Sequence, residues 1–209
     1  MLCGYPYMKN PLTPKKLAII MALIALVSFA YKLTIGILAT SLVLIVAAFP
    51  TLFVFICKAL FAKNMNQSRE EKKRSYFYMA VATACFAAIF IMFSVLKVGG
   101  IDITNKNRFE GWVGIIFILF IILMFALSII NLKGALNKTD LVVIGIKEIT
   151  FVSALADAVM IHEFLYRVLI KYLSLPLMGT VNKYFPLAIG VLMAVVPFLM
   201  FKRYFAYKA

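Results

Sequence analysis

The stretch at residues 75–98, SYFYMAVATACFAAIFIMFSVLKV, decides the fold class. It is almost continuously apolar, and as a helix it is about 36 Å long, because each helical residue adds about 1.5 Å. The hydrocarbon core of a bilayer is roughly 30 Å thick, so one helix of this length crosses it. A basic connector precedes the run and Gly99 and Gly100 follow it, which predicts a helix from Ser75 to about Val98.

The composition extends this conclusion to the rest of the chain. Of its 209 residues, 65% are hydrophobic and 14% are charged, whereas soluble domains are nearer about half apolar and about a quarter charged. The surplus apolar surface must face lipid. Backbone groups in lipid must pair internally, and the apolar runs do not alternate as barrel strands do. We therefore predict an all-α fold, a polytopic integral membrane bundle of about six transmembrane helices.

The predicted helices form a single transmembrane domain over residues 1–209. Capping residues, glycines and charged breaks give the helix boundaries. The predicted helices are 14–31, 34–61, 75–98, 111–132, 140–161 with an amphipathic extension to about 173, and 183–201. Pro50 interrupts the hydrogen bonding of the second helix and predicts a kink there. Thr139 or Asp140 is the predicted N-cap of the fifth.

The net charge of +14 indicates membrane topology rather than binding to nucleic acid. The basic residues flank apolar runs, where they meet the anionic headgroups of the bilayer. Cytoplasmic loops retain Lys and Arg, so the basic connector 64–74 is predicted to lie inside, with both termini on that side of a cell (inner or plasma) membrane. Besides lipid, the partner that we expect is another membrane subunit or a second copy of the chain.

The fifth predicted helix differs from the others because Lys147, Glu148 and Asp157 lie inside its apolar span. A charge at the bilayer centre costs about 2.5–3.5 kcal/mol on insertion scales, so these side chains should face other helices or a wet cavity. The helix is therefore predicted to be central in the bundle. We find no basic residue at comparable depth in the other predicted spans, so Asp157 is expected to lack a counter-ion.

These charges and the polar residues after them define the predicted site. His162 is the only histidine of the chain. The predicted ligand or ion path consists of Lys147, Glu148, Asp157 and His162, and the polar residues predicted at the outer boundary are Glu163 and Arg167. Contacts that hold the bundle or an assembly together are the alternative interpretation of the charges, and an interfacial imidazole without a catalytic role is the alternative for His162.

Enzyme and cofactor motifs were tested around His162. The zinc-binding HExxH pattern fails, because its fifth position is Tyr166 and the chain has no second histidine. The run 162–167, HEFLYR, resembles the EExxxR element of the CPBP family of intramembrane proteases, with His162 in place of the first glutamate. That family also needs histidines on later helices, which this chain lacks, so the resemblance implies no protease site. The three cysteines show no paired spacing, and we predict no metal or cofactor.

The favoured function is therefore a small transport component with a polar site on its fifth helix. A non-catalytic accessory or immunity-type membrane subunit is the alternative, in which the charges of that helix pair with a partner. A membrane enzyme acting on lipid is the third candidate, and the absence of a catalytic motif counts against it. Ala18, Ala22 and Ala25 also resemble the first helix of the vitamin-binding subunits of energy-coupling importers, which likewise have six helices.

Overall fold

The computed structural model describes most of the chain as helix. The described residues are 14–38, 42–63, 68–100, 119, 121–123, 125–130, 140–172 and 176–207, and within them the side chains of 14–15, 17, 38, 42–44, 167–172 and 176–178 are not described. The helices are α1 (Pro14–Leu38), α2 (Leu42–Lys63), α3 (Arg69–Val98), α4 (Ile121–Ile130), α5 (Leu141–Tyr172) and α6 (Pro176–Ala206). No strand occurs within the described ranges, so the predicted all-α class is confirmed.

Four helices contain segments that are long and apolar enough to cross a membrane. These segments are Ala18–Ile37, Ile45–Lys63, Arg69–Val98 and Gly179–Ala206. Large apolar side chains such as Val27 and Phe198 are about two-thirds exposed on them, as expected for surfaces that face lipid. The chain is thus a helical membrane bundle. The number of six spans stays a prediction, and α5 is not among the four apolar segments.

Helix α5 is the central element of the bundle. It contacts α2, α3 and α6, while α1 packs chiefly on α2 and α3 packs on α6. Its buried residues, among them Ile144, Ile149 and Val159, point in several directions around the helix axis. The prediction that this helix is central in the bundle is therefore confirmed.

Local geometry explains where several of the helices begin and end. Asp140 caps α5, because its carboxylate accepts hydrogen bonds from the amides of Val142 at 3.0 Å and Val143 at 3.4 Å. Helix α3 ends before Gly99, and Gly100 has a φ of 85°, a conformation that favours glycine. Pro50 lies inside α2. The amphipathic extension is also present, since α5 continues without a break to Tyr172.

Three helices are longer than predicted. Helix α3 begins at Arg69 rather than Ser75, because Ser68 and Glu71 form a capping box inside the predicted connector. Helix α6 spans Pro176–Ala206 rather than 183–201, with a proline at its first position, where no amide hydrogen is needed. Helix α1 continues to Leu38 rather than ending at residue 31. The second predicted helix begins later, at Leu42, and much of the fourth, 111–132, lies outside the described residues.

Candidate polar site at the centre of the bundle

Asp157 of α5 forms a buried ion pair with Lys32 of α1. The Lys32 Nζ and Asp157 Oδ1 atoms are 2.5 Å apart, and the two side chains are 2% and 4% exposed. The expectation that Asp157 lacks a counter-ion was therefore wrong. It failed because the first helix was predicted to end at residue 31, which left Lys32 outside any span. The charge does not end the helix, since Asp157 compensates it.

Two hydroxyl groups complete the surroundings of this pair. Lys32 Nζ donates a hydrogen bond of 2.7 Å to Thr51 Oγ1 of α2, and that oxygen lies 2.7 Å from Ser153 Oγ of α5. Ser153 precedes Asp157 by four residues, so both side chains lie on one face of α5. Three helices thus bring an ammonium, a carboxylate and two hydroxyls into one buried cluster. We call Lys32, Thr51, Ser153 and Asp157 the central cluster.

Ser28 adds an unused polar group next to the central cluster. It precedes Lys32 by four residues on α1, so it lies on the same face one turn away. Its hydroxyl is fully buried and has no hydrogen-bond partner among the described residues. Buried polar atoms are rarely left unpaired, and each such atom calls for a physical explanation. The face of α1 that carries Lys32 therefore has hydrogen-bonding capacity beyond what the ion pair uses.

Glu148 forms a second buried group with residues of α3 and α6. Its carboxylate accepts a hydrogen bond of 2.9 Å from the hydroxyl of Tyr76 and forms an ion pair with Arg203. Arg203 Nη1 also lies 3.5 Å from the Tyr76 hydroxyl. Tyr76 is fully buried, whereas about a third of the Arg203 side chain is exposed. The Tyr76 side of this group is therefore shielded from solvent, and the Arg203 side reaches solvent near the end of α6.

Gly145 explains how Tyr76 reaches Glu148. A Cβ atom at this position would lie 2.8 Å from the sulfur of Met79 and 3.0 Å from the ring of Tyr76. Glycine is the residue that lets α3 approach α5 this closely. The Tyr76 ring then lies against the turn before Glu148, with its hydroxyl beside the carboxylate.

Glu163, near the other end of α5, pairs with Lys97 of α3. Both side chains are buried, at 5% and 9% exposed. Glu148, Asp157 and Glu163 thus have basic partners on three different helices, α6, α1 and α3. At 1.5 Å per residue, Asp157 lies about 13 Å along the axis from Glu148 and about 9 Å from Glu163. These three acids connect α5 to its neighbours at three depths.

His162 and Asn182 are polar groups near the Lys97–Glu163 pair. The His162 ring stacks on Phe185 of α6, with a centroid distance of 4.1 Å, and Asn182 lies one turn before Phe185. His162 Nε2 and Asn182 Oδ1 are buried and have no hydrogen-bond partner in the described part of the chain. The stacking on Phe185 holds the histidine ring in this position.

The remaining predicted site residues are not brought into these groups. Lys147 is half-buried, and it makes no ion pair with a described residue. The structure therefore separates it from Glu148, its neighbour in sequence, because adjacent residues point about 100° apart on a helix. The backbone of Arg167 belongs to α5, but its side chain lies outside the described residues. No group of three metal-ligating side chains occurs within the described ranges.

Asp140 forms a further ion pair at the start of α5. Lys72 Nζ of α3 lies 2.7 Å from its Oδ2 atom, and both side chains are about 30% exposed. Partial burial raises the pKa of Asp140. Hydrogen bonds from Lys72 and from two amides, together with the charge of Lys72, have a larger opposite effect, so the pKa of Asp140 lies below its usual value. Since Lys72 and Lys97 meet opposite ends of α5, α3 and α5 run parallel.

The predicted site did not include six residues of these groups: Lys32, Thr51, Tyr76, Lys97, Ser153 and Arg203. A usable signal existed for Lys32. It continues a stripe of small residues on α1 at helical spacing, and the buried members of that stripe are Ala22, Ala25, Ser28, Lys32 and Gly36. A lysine within such a stripe faces a neighbouring helix, not lipid. No comparable signal marks Thr51, whose role depends on which helices pack together.

The fold and the three acid–base groups define a class: a helical membrane bundle in which charged residues of one central helix pair with bases on its neighbours. Comparison of the chain with protein-family models, curated protein sequences and solved structures gave no match.

Proposed function

We propose that this protein is a small multi-pass transport component of the cell membrane, with its polar site at the central cluster. The observation that carries the proposal is the Lys32–Asp157 ion pair, which is buried between α1 and α5 and bordered by hydroxyls of α2 and α5. Transport proteins bind solutes and coupling ions near the middle of the membrane, at sites built from several helices.

The energetics of a buried ion pair support a role beyond stability. Removing two charges from water costs several kcal/mol per ion, and a well-packed apolar pair at the same place is often equally or more stabilising. Apolar residues at positions 32 and 157 would therefore suffice to hold α1 against α5. Intramembrane ionisable residues are by default a functional hypothesis, and the unpaired hydroxyl of Ser28 offers a further ligand contact.

The pair also supplies a physical basis for ion coupling. A proton or cation that neutralises Asp157 would leave the Lys32 ammonium buried without a partner. Such an unpaired charge costs about 3–5 kcal/mol, so α1 would have to move relative to α5 or Lys32 would have to lose its own proton. Binding at Asp157 is thereby linked to a change in helix packing, which alternating access requires.

The orientation proposed for the protein follows its basic residues. Lys63, Arg69, Lys72 and Arg203 lie at the ends of helices that meet on one side of the bundle. We place this side in the cytoplasm, because cytoplasmic ends retain basic residues. Glu148 and Arg203 then lie toward the cytoplasm from the central cluster, and Lys97 and Glu163 lie toward the exterior.

The test is flux through purified protein in liposomes. We expect proton flux under a clamped membrane potential, reported by a pH-sensitive dye trapped inside, and loss of at least nine-tenths of it in Asp157→Asn. This variant keeps the size of the side chain while it removes the charge that Lys32 needs. Asp140→Asn is the matched control, because it removes an acid from an ion pair of α5 that lies at the bundle end, and it should keep most of the flux.

Two outcomes would count against the proposal. One is a natural chain that conducts no more protons than empty liposomes. The other is equal flux in Asp157→Asn and the natural chain, with both proteins folded. The same variants, tested for oligomeric state by size-exclusion chromatography, separate a transport defect from a loss of assembly.

One observation favours the accessory-subunit alternative. Lys147 is the charge of α5 that the described part of the chain leaves without an ion-pair partner, and it is half-buried. A partner subunit that supplies an acid would explain its position. In that case Lys147→Met would dissociate a complex and leave the monomer folded, whereas a transport component would keep its oligomeric state.

A further inference from the structure

Basic and aromatic side chains alternate where α3 begins and α6 ends. Arg69 donates a hydrogen bond of 3.2 Å to the Tyr207 hydroxyl and lies over the same ring, 5.1 Å from its centroid. Lys73 donates to the Tyr207 carbonyl at 3.0 Å and lies 5.3 Å from the centroid of Tyr204. The two cations are therefore held in place by aromatic rings, which reduces the entropy lost when they bind an anion.

A third cation flanks this pair on the lipid-facing side of α3. Arg74 is exposed and donates a hydrogen bond of 2.9 Å to Tyr78, whose ring centroid lies 5.6 Å from the guanidinium carbon. Tyr78 is itself about half exposed. Tyrosines at this level of a bundle are typical of the membrane–water interface.

Basic residues outnumber acidic residues among the described residues at this end of the bundle. The end of α2, the first two turns of α3 and the end of α6 carry seven basic residues in the described part: Lys63, Arg69, Lys72, Lys73, Arg74, Lys202 and Arg203. Four described acids lie among them, because Glu70 and Glu71 belong to α3, Asp140 pairs with Lys72 and Glu148 pairs with Arg203. Glu71 belongs to the capping box with Ser68. An excess of positive charge therefore remains, and it attracts anions.

The surface beside the cations is apolar. Phe205 is 77% exposed and packs edge-on against Tyr204, with a centroid distance of 5.2 Å. The ring centroid of Phe77 lies 5.1 Å from that of Tyr204 and 6.0 Å from that of Phe201. Phe198, one turn before Phe201 on α6, is exposed. Acyl chains can pack on such a surface, whereas free phosphate and the charged side chains of a soluble acidic protein gain nothing from contact with it.

We propose that the start of α3 and the end of α6 form a binding site for an anionic phospholipid. Arg69 and Lys73 bind its phosphate, Arg74 contributes to the charge of the site, and the exposed rings of α6 contact its acyl chains. Arginine suits this role because its planar guanidinium matches the geometry of phosphate oxygens. The site is separate from the central cluster, and the proposal does not depend on transport.

The test compares thermal unfolding in nanodiscs of phosphatidylcholine with and without a minority of phosphatidylglycerol. We expect phosphatidylglycerol to raise the unfolding temperature of the natural chain, and Arg69→Gln/Lys73→Gln to lose more than half of that increase. The control Lys63→Gln/Lys202→Gln removes two exposed charges from the same end and should keep most of it. Glycerol phosphate added to phosphatidylcholine nanodiscs should give no increase, which separates the lipid from the free anion.

Three results would overturn the proposal. The first is equal loss in both double variants, which would indicate a general effect of charge without a defined site. The second is an increase with glycerol phosphate as large as that with the lipid. The third is no effect of phosphatidylglycerol on the natural chain. If Arg69→Gln/Lys73→Gln does not fold, Arg74→Gln takes its place, with Lys63→Gln as its control and the same expected direction.

Discussion

At the scale of single residues, the Lys32–Asp157 pair makes a prediction about stability that is independent of flux. Both side chains are less than 5% exposed, so removing one leaves the other as an unpaired buried charge. Asp157→Leu and Lys32→Met should each destabilise the protein by about 3–5 kcal/mol, and the double variant should equal the natural chain or exceed it by about 1–4 kcal/mol. Unfolding in detergent, followed by circular dichroism, measures all four proteins.

The double variant also separates function from stability. A folded Lys32→Met/Asp157→Leu protein without flux would indicate that the charges serve transport and are not needed for the fold. If the double variant is clearly less stable than the natural chain, the pair contributes net stability, and the energetic support for the proposed function is removed.

At the level of helices, close packing depends on glycines, and the atoms that face these glycines differ in how easily they can move. A Cβ at Gly36 of α1 would lie 2.8 Å from the backbone nitrogen of Ile45 in α2, whereas one at Gly190 of α6 would meet side-chain atoms of Phe90 and Ile91 in α3. Backbone cannot move aside without shifting the helix, but side chains can rotate. We expect Gly36→Ala to destabilise by about 1–3 kcal/mol.

The Gly190→Ala variant is the matched control for this prediction. Both substitutions gain about 1 kcal/mol of helix propensity, so a difference between them reports packing. Chemical unfolding in detergent should place Gly190→Ala closer to the natural chain than Gly36→Ala. Equal stability of the two variants would contradict the close approach of α1 to α2 at this position.

At the scale of the whole molecule, the bundle predicts which chain segments share a side of the membrane. Helix α3 has 30 residues, or about 45 Å of helix, which exceeds the thickness of the hydrocarbon core. In a chain whose natural cysteines are replaced by serine, Lys63→Cys and Gly99→Cys should therefore react with an impermeant maleimide from opposite sides. Labelling of inside-out and right-side-out vesicles measures this, and reaction of both from one side would rule out the proposed crossing.

Part of the site was predictable from the sequence. Glu148 and Asp157 stood out as charges in an apolar segment, and Glu163 as a polar residue at its outer boundary. The structure buries all three carboxylates and places each in an ion pair. Their partners were not predicted. Arg203 lies beyond the last predicted helix, 183–201, and Lys32 lies between the first two, 14–31 and 34–61. A basic residue near the end of a predicted span has the same local sequence pattern whether its side chain reaches the headgroups or pairs with an acid.

The all-α membrane class and the central position of α5 could be predicted from the sequence alone. Both depend on the free energy of placing side chains in lipid. That free energy is set by the residues of each segment and does not depend on which segments pack together. The tertiary structure alone decided that Asp157 meets Lys32, that Glu148 meets Tyr76 and Arg203, and that Lys147 is left out. Such pairing depends on the rotation and axial register of helices far apart in the chain, and small residues such as Gly36 and Gly145 fix that register only once their neighbours are in place.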